Sequence, residues 1–248
     1  MKKISKKSIV LLAAAAVLLI ASAAGSTRAA LTYYSENYSA EVTVSNIGVT
    51  LKENGNAVGY RNYIGDGKWD VVNGKLLENM LAEGEELTLG KDYEEALSVY
   101  NSGAIDSYVR VILTKNWVDA DGNVDQTLDP AIIELDFVTG SNGWVIDKEA
   151  STPERTVLYY TEILPVDANT PDLSSALSIN PVIQTKVIET VETTETGKTI
   201  TFEYEYDGYT FNLEAEVDAV QTHNAADAIK SAWGVDVAVA ADGSLSLQ

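Results

Sequence analysis

From Glu41 to the C-terminus the chain alternates, with β-branched and aromatic residues at every second position and Gly, Asn and Asp interrupting the pattern. A period of two sends successive side chains to opposite faces of an extended backbone. Val42 and Val44 alternate with Thr43 and Ser45, and Val49 and Leu51 with Thr50 and Lys52. Val109, Val111 and Leu113 enclose Ile112, so that segment is apolar enough on both faces to lie inside a sheet. Ile133, Leu135 and Phe137 repeat the pattern, as do residues of 155–164 and 182–194. A parallel sheet needs long crossover helices between its strands, and these are missing from the pattern. The residues therefore predict an all-β, mainly antiparallel sandwich or barrel.

Two segments read as a hairpin in a defined register. Residues 198–206 and 209–217 flank Asp207-Gly208, a dipeptide suited to a two-residue type I′ turn. With Tyr206 opposite Tyr209, Tyr204 meets Phe211, Phe202 meets Leu213 and Ile200 meets Ala215. The apolar residues then share one face, and no two acids stand directly opposite each other. Helix is sparse. Ala225, Ala228, Ile229, Ala232 and Trp233 form one stripe, with Asn224 as N-cap, Asp227 in the first turn and Gly234 past the end. A second short helix is predicted around Leu76–Ala82.

The N-terminus has a different character. Lys2, Lys3, Lys6 and Lys7 precede an uncharged apolar run from Ile9 to Ala24, and small residues follow. That is the layout of a secretory signal peptide, with an apolar run shorter than the roughly 20 residues of a spanning helix. Cleavage between Ala29 and Ala30 leaves Thr27 and Ala29 at the positions a signal peptidase reads, whereas a cut one residue later would place Arg28 there. The alternative is an uncleaved N-terminal anchor. The expected organisation is a signal peptide over 1–29, an exposed strand or arm over 30–40, and the folded part over 41–248.

Removing residues 1–29 takes away five positive charges and no acid, so the net charge moves from -20 to -25. Such a surface repels nucleic acid and anionic lipid, since phosphate recognition rests on Lys and Arg. The chain has no cysteine, which excludes disulfides, thiolate metal sites and cysteine nucleophiles. A core of this size is self-sufficient without them.

Candidate chemistry is thin. His223 is the single histidine, HExxH is absent, and neither a GxSxG elbow, a GxGxxG loop nor a Walker loop is present. A three-histidine catalytic zinc site is impossible, and the catalytic set is expected to be empty. Asp119, Asp121, Asn123 and Asp125 place oxygen donors at alternate positions, as a Ca²⁺ loop does. The EF-hand positions for Gly and Glu are filled by Val124 and Pro130, however, and the same residues read as a surface turn on Asp121-Gly122. Ca²⁺ is thus the one cofactor the residues leave open.

Three stretches carry a family resemblance. Gly25-Ser26-Thr27-Arg28-Ala29-Ala30 resembles the signal peptides cut by the SipW-type signal peptidase of Gram-positive bacteria. The run from Val99 to Val111, with Asn101, Gly103, Tyr108, Val109 and Arg110, resembles the V-x-N-x-G-x-x-x-x-Y-V-R-V core of TasA/camelysin-type proteins. Asp218–Ala225, continuing to Trp233-Gly234, is similar to that family's closing strand and helix. The family's aromatic after the cut is replaced by Leu31, with Tyr33 and Tyr34 slightly later, and its Gly-Thr-Leu by Asn46–Leu51. The resemblance implies a single jelly-roll-like β-sandwich, secreted and assembled into extracellular fibres of the biofilm matrix. The mature N-terminus would insert as a strand into the neighbouring subunit, through Leu31, Tyr33, Tyr34 and Tyr38. Implied partners are further copies of the chain, the SipW-type peptidase during export and an accessory matrix protein, with no nucleic acid. Camelysin-like relatives also carry a metalloprotease label, and a non-polymerising surface protein is the remaining class. Read from its chemistry alone, Arg110 is expected to pair locally with a carboxylate.

The exported form is predicted to begin at Ala30. N-terminal sequencing of the secreted protein checks this, and Met1 retained, or a start beyond Tyr38, would contradict it.

Overall fold

The computed structural model describes residues 46–248 apart from 73–75, 78–79, 82–84 and 195–196. The signal peptide, the arm with Leu31, Tyr33, Tyr34 and Tyr38, the cleavage residues Thr27, Ala29 and Ala30, and the strand over Val42–Val44 lie outside the described residues. In chain order the strands are β1 (Gly48–Glu53), β2 (Asn56–Gly65), β3 (Lys68–Val72), β4 (Tyr93–Glu94), β5 (Leu97–Asn101), β6 (Ser107–Val118), β7 (Val124–Asp125) and β8 (Ile133–Phe137). They continue as β9 (Trp144–Asp147), β10 (Arg155–Leu164), β11 (Ser174–Ile179), β12 (Val187–Thr194), β13 (Gly197–Tyr204) and β14 (Thr210–Gln221). Helix α1 (Ala225–Trp233) and strands β15 (Val237–Val239) and β16 (Leu245–Leu247) close the chain.

The fold is an all-β, antiparallel sandwich. One sheet has the order β3-β2-β1-β5, and the other runs β14-β6-β10-β9 with β7 paired to the end of β6. A third sheet, β4-β11-β8, adjoins the first through the segment after β10. Thr170 donates its N–H to Val99 at 2.8 Å and Leu173 its N–H to Leu97 at 2.7 Å, so β5 keeps backbone partners on its second edge.

The two-residue period explains the core. Val49 and Leu51 on β1 and Leu97 and Val99 on β5 point inward to meet Val109, Val111 and Leu113 of β6, Leu158 of β10, and Leu213 and Val217 of β14. Each such side chain, fully buried, contributes about 1.5–3 kcal/mol. The opposite face of β6 is buried at its N-terminal end. Tyr108 there joins Val220, Ala225, Ile229, Val237 and Leu245 in a second core beneath α1.

The motif from Val99 to Val111 is built of structural roles. Val99, Val109 and Val111 are core. Asn101 is fully buried and donates from Nδ2 to the carbonyls of Ile105 and Leu164, both at 2.9 Å, while its Oδ1 accepts the N–H of Gly103 at 3.0 Å. Tyr108 donates its hydroxyl to the Gly243 carbonyl at 2.6 Å. Arg110 pairs with the Asp218 carboxylate directly across the β6–β14 ladder, as its chemistry predicts.

Several sequence expectations need correction. The hairpin built on Asp207-Gly208 does not form. Gly208 does turn, with φ +79, but β13 pairs with β12 while β14 lies along β6 in a twelve-pair ladder. Tyr206 turns inward at the junction, stacked edge-on against Trp117 with centroids 4.9 Å apart, and its hydroxyl accepts the Asp129 N–H at 3.0 Å. The buried β6 needs a partner on its second edge, and satisfying twelve residues of it outweighs a good local turn. Leu76, Leu77, Met80 and Leu81 lie in bends instead of a helix. The strand expected from Val182 starts at Val187, because Pro181 opens a 3-10 turn capped by Asn180. Asn224 does precede α1, but in a left-handed conformation (φ 50) with no side-chain cap bond, and Ala232 is exposed.

Gly103 generates a prediction. A Cβ there would stand 2.5 Å from the Gly48 nitrogen and 2.6 Å from the Asn46 carbonyl oxygen, both backbone atoms that cannot rotate away. Gly103→Ala should destabilise the fold by about 1–3 kcal/mol, the usual range for overpacking, measured by urea denaturation against the unsubstituted chain.

Candidate assembly groove

Among the described residues, the outer edge of β14 has no strand beside it. Six consecutive residues, Asn212–Val217, line a groove of about 830 Å³ whose far wall is Gly59–Arg61 of β2 with Val71 and Val72 of β3. Leu51, Leu76 and Leu213 supply apolar surface, and Val71 and Val72 are exposed. An unpaired strand edge beside a groove of mixed polar and apolar lining presents backbone donors and acceptors to an added strand, with recesses for its alternate side chains.

One end of the groove is held by charge. Arg61 of β2 reaches across to Asp218 at 3.1 Å and Glu216 at 3.4 Å, and Arg110 of β6 holds the other Asp218 oxygen. Asp218 is buried, so its charge is compensated from both sheets, which makes the burial tolerable. Arg61 also lies over the Trp69 ring at 4.9 Å, and Arg110 over Trp233 at 5.2 Å, which orient both guanidinium groups.

The loop carrying Leu76 is fastened by a second acidic device. Glu53, at the end of β1, accepts the Leu77 N–H at 2.6 Å, and Leu77 has φ +69. Beside it lies Glu95, 1 % exposed, hydrogen-bonded to the Glu53 side chain and with its Oε1 otherwise unpartnered. Burial, with the Glu53 charge adding to it, pushes the Glu95 carboxyl from its ordinary 4.5 up to about 8. At neutral pH this side chain is a proton donor to Glu53.

The other sequence candidates sit elsewhere. Asp119 Oδ1 accepts the N–H groups of Asp121 at 2.9 Å and Asn123 at 2.8 Å, and Asn123 Nδ2 also bonds to the carboxylate. Asp125 bonds to Thr127 through Oδ1 and to the Tyr209 hydroxyl through Oδ2 at 2.9 Å. These hydrogen bonds hold both carboxyls below the usual carboxylate range. Residues 119–123 form a turn between β6 and β7 in which the Asp119 carboxylate accepts the loop's own donors, and Asp125 in β7 bonds to Thr127 and Tyr209. Among the described residues no group of three or more His, Asp or Glu is placed to hold a metal ion. His223 is exposed just before α1, away from any such group. Among the described residues no helix is long and apolar enough to cross a membrane.

The groove walls went unnoticed in the sequence. Arg61, Val71 and Val72 occupy ordinary strand positions and Glu95 the link between β4 and β5, and only the pairing of distant strands gives them neighbours. The chain matches no family model, no curated protein and no solved structure.

Glu95 sets a pH dependence. The folded protein keeps its proton to about pH 8, whereas the unfolded chain releases it near 4.5. The stabilisation is therefore complete below 4.5 and is lost as pH rises through about 8. Denaturation midpoints should fall across that window, and Glu95→Gln should flatten the profile and raise the midpoint at its alkaline end.

Proposed function

We propose that this protein is a secreted, non-enzymatic structural subunit of the TasA/camelysin type, assembling head to tail into extracellular fibres of a Gram-positive biofilm matrix. The carrying observation is the β14 edge, unpaired among the described residues, beside a groove whose lining includes Leu51, Leu76, Val71, Val72 and Leu213. In this reading residues 30–40, released by a SipW-type signal peptidase, leave one subunit and lie along β14 of the next. Fully extended, an eleven-residue arm spans about 36 Å, ample for the roughly 20 Å edge of six residues. Leu31, Tyr33, Tyr34 and Tyr38 are β-prone, and Glu36 is the single acid in the arm. Because the contact is heterologous and does not close, repetition yields a filament. Further copies are the main partner, an accessory matrix protein a second, and nucleic acid is excluded from the list by charge. The peptidase reading has one histidine and no cysteine to draw on.

The charge of -25 per cleaved subunit opposes association. Repulsion is screened beyond about 10 Å at 0.1 M salt, so filament growth, followed by light scattering and electron microscopy, should be slow at low ionic strength and faster with salt. Protein lacking residues 30–40 should keep its denaturation midpoint and stay monomeric. Such subunits retain the groove, so a small fraction mixed into the cleaved protein should cap growing ends and shorten the filaments. Filaments of normal length from the truncated protein alone would eliminate the arm as connector.

A further inference from the structure

Strands β12 and β13 form a two-stranded hairpin that is exposed on both faces. Its ladder sorts the residues cleanly. Ile188 with Glu203, Thr190 with Thr201 and Glu192 with Thr199 occupy one face, which is mostly polar. The other carries Val187 with Tyr204, Glu189 with Phe202, Val191 with Ile200 and Thr193 with Lys198. On that second face Val191, Ile200, Phe202 and Tyr204 are 43, 50, 62 and 65 % exposed. An isolated two-stranded ribbon is marginally stable in water and needs its apolar face covered.

We infer that this face packs against the same face of a second copy of the chain, about a two-fold axis lying across the strands at the Val191–Ile200 pair. The charges on the face select that partner. Glu189 and Lys198 are its charged side chains among the described residues, and they lie one pair to either side of Val191–Ile200. Rotation about that axis brings Glu189 of one copy over Thr193 of the other, one strand spacing of about 4.8 Å from Lys198. Phe202 comes to lie over the Lys198 stem, and Val191 and Ile200 meet their symmetry mates. The surface is therefore self-complementary in both apolar area and charge, as an isologous contact requires. It is also locally neutral in a chain of net charge -20, so two copies can approach here without the repulsion they meet elsewhere. The contact is independent of the groove. Should the filament reading hold, it would join filaments side by side. Should that reading fail, it would still produce dimers.

The absence of native cysteine makes this directly testable in the full exported chain. Ile200→Cys sits at the axis and Thr201→Cys on the opposite face. Treated with a short bis-maleimide and separated under denaturing conditions, which dissolve any filament, Ile200→Cys should give covalent dimer and Thr201→Cys little. Added to Ile200→Cys, Glu189→Lys should lower the yield by up to about twenty-five-fold, since the two-fold axis repeats the pair and each exposed ion pair is on the scale of fivefold. Lys198→Glu should do the same, and the Glu189→Lys/Lys198→Glu swap should restore it. Equal yields from the two cysteine positions would overturn the contact. A yield indifferent to the single charge reversals, or a swap that fails to restore it, would overturn the two-fold register.

Discussion

Strand β6 buries Val109, Val111 and Leu113 on one face and Tyr108 on the other, so it must find backbone partners on both edges. β10 takes one edge and β14 the other. Val109, Val111 and Leu113 close the sandwich core, while Tyr108 anchors the smaller core under α1. Nearly every other feature follows from meeting this demand. The ladder to β14 spans the strand from Ser107 to Val118, which carries the chain away from β13 and leaves the β12–β13 ribbon projecting. The same ladder puts β14 at the margin of its sheet, with an edge over the groove that is open among the described residues.

Where the chain leaves β5 for β6, backbone crosses backbone within the first sheet, and Asn101 reaches Leu164 of the other. Gly103 lets the turn after β5 touch the segment entering β1, and the Asn101 side chain substitutes for the hydrogen bonds that this buried crossing would otherwise lack. One amide satisfying two carbonyls and an N–H at zero exposure is a compact way to route a chain between layers without orphaned polar groups. These residues carry the family-like pattern, and their contacts are all internal. The pattern therefore speaks about fold, and functional inference has to rest on the sheet edges.

A chain this acidic has to place its carboxylates with care. Asp218 is shared between Arg61 and Arg110, Asp119 and Asp125 are consumed by turn donors, and Glu95 is kept protonated against Glu53. Glu214 alternates with buried Leu213 along β14 and faces solvent, a charge on an edge of the kind that discourages indiscriminate pairing.

Much of the fold was legible because period-two alternation is a local property: β1, β6, β8 and β10 all lie where Val, Leu and Ile alternate with polar residues, and the Gly234 stop and the Ala225–Ile229 stripe follow from helix geometry. Pairing is not local. Asp207-Gly208 favours a hairpin, yet the partner of β14 was decided by β6, about a hundred positions earlier in the chain, whose buried edge no local pattern reveals. The groove followed the same rule, since Arg61, Val71 and Ala215 become one surface only after the sheets pack. Composition and alternation determined the all-β class, the negative charge and the lack of thiol chemistry. Which strand edges stay open, which acids share a proton and which apolar face remains bare were decided by tertiary structure alone, because each depends on hydrogen-bond and packing partners remote in sequence.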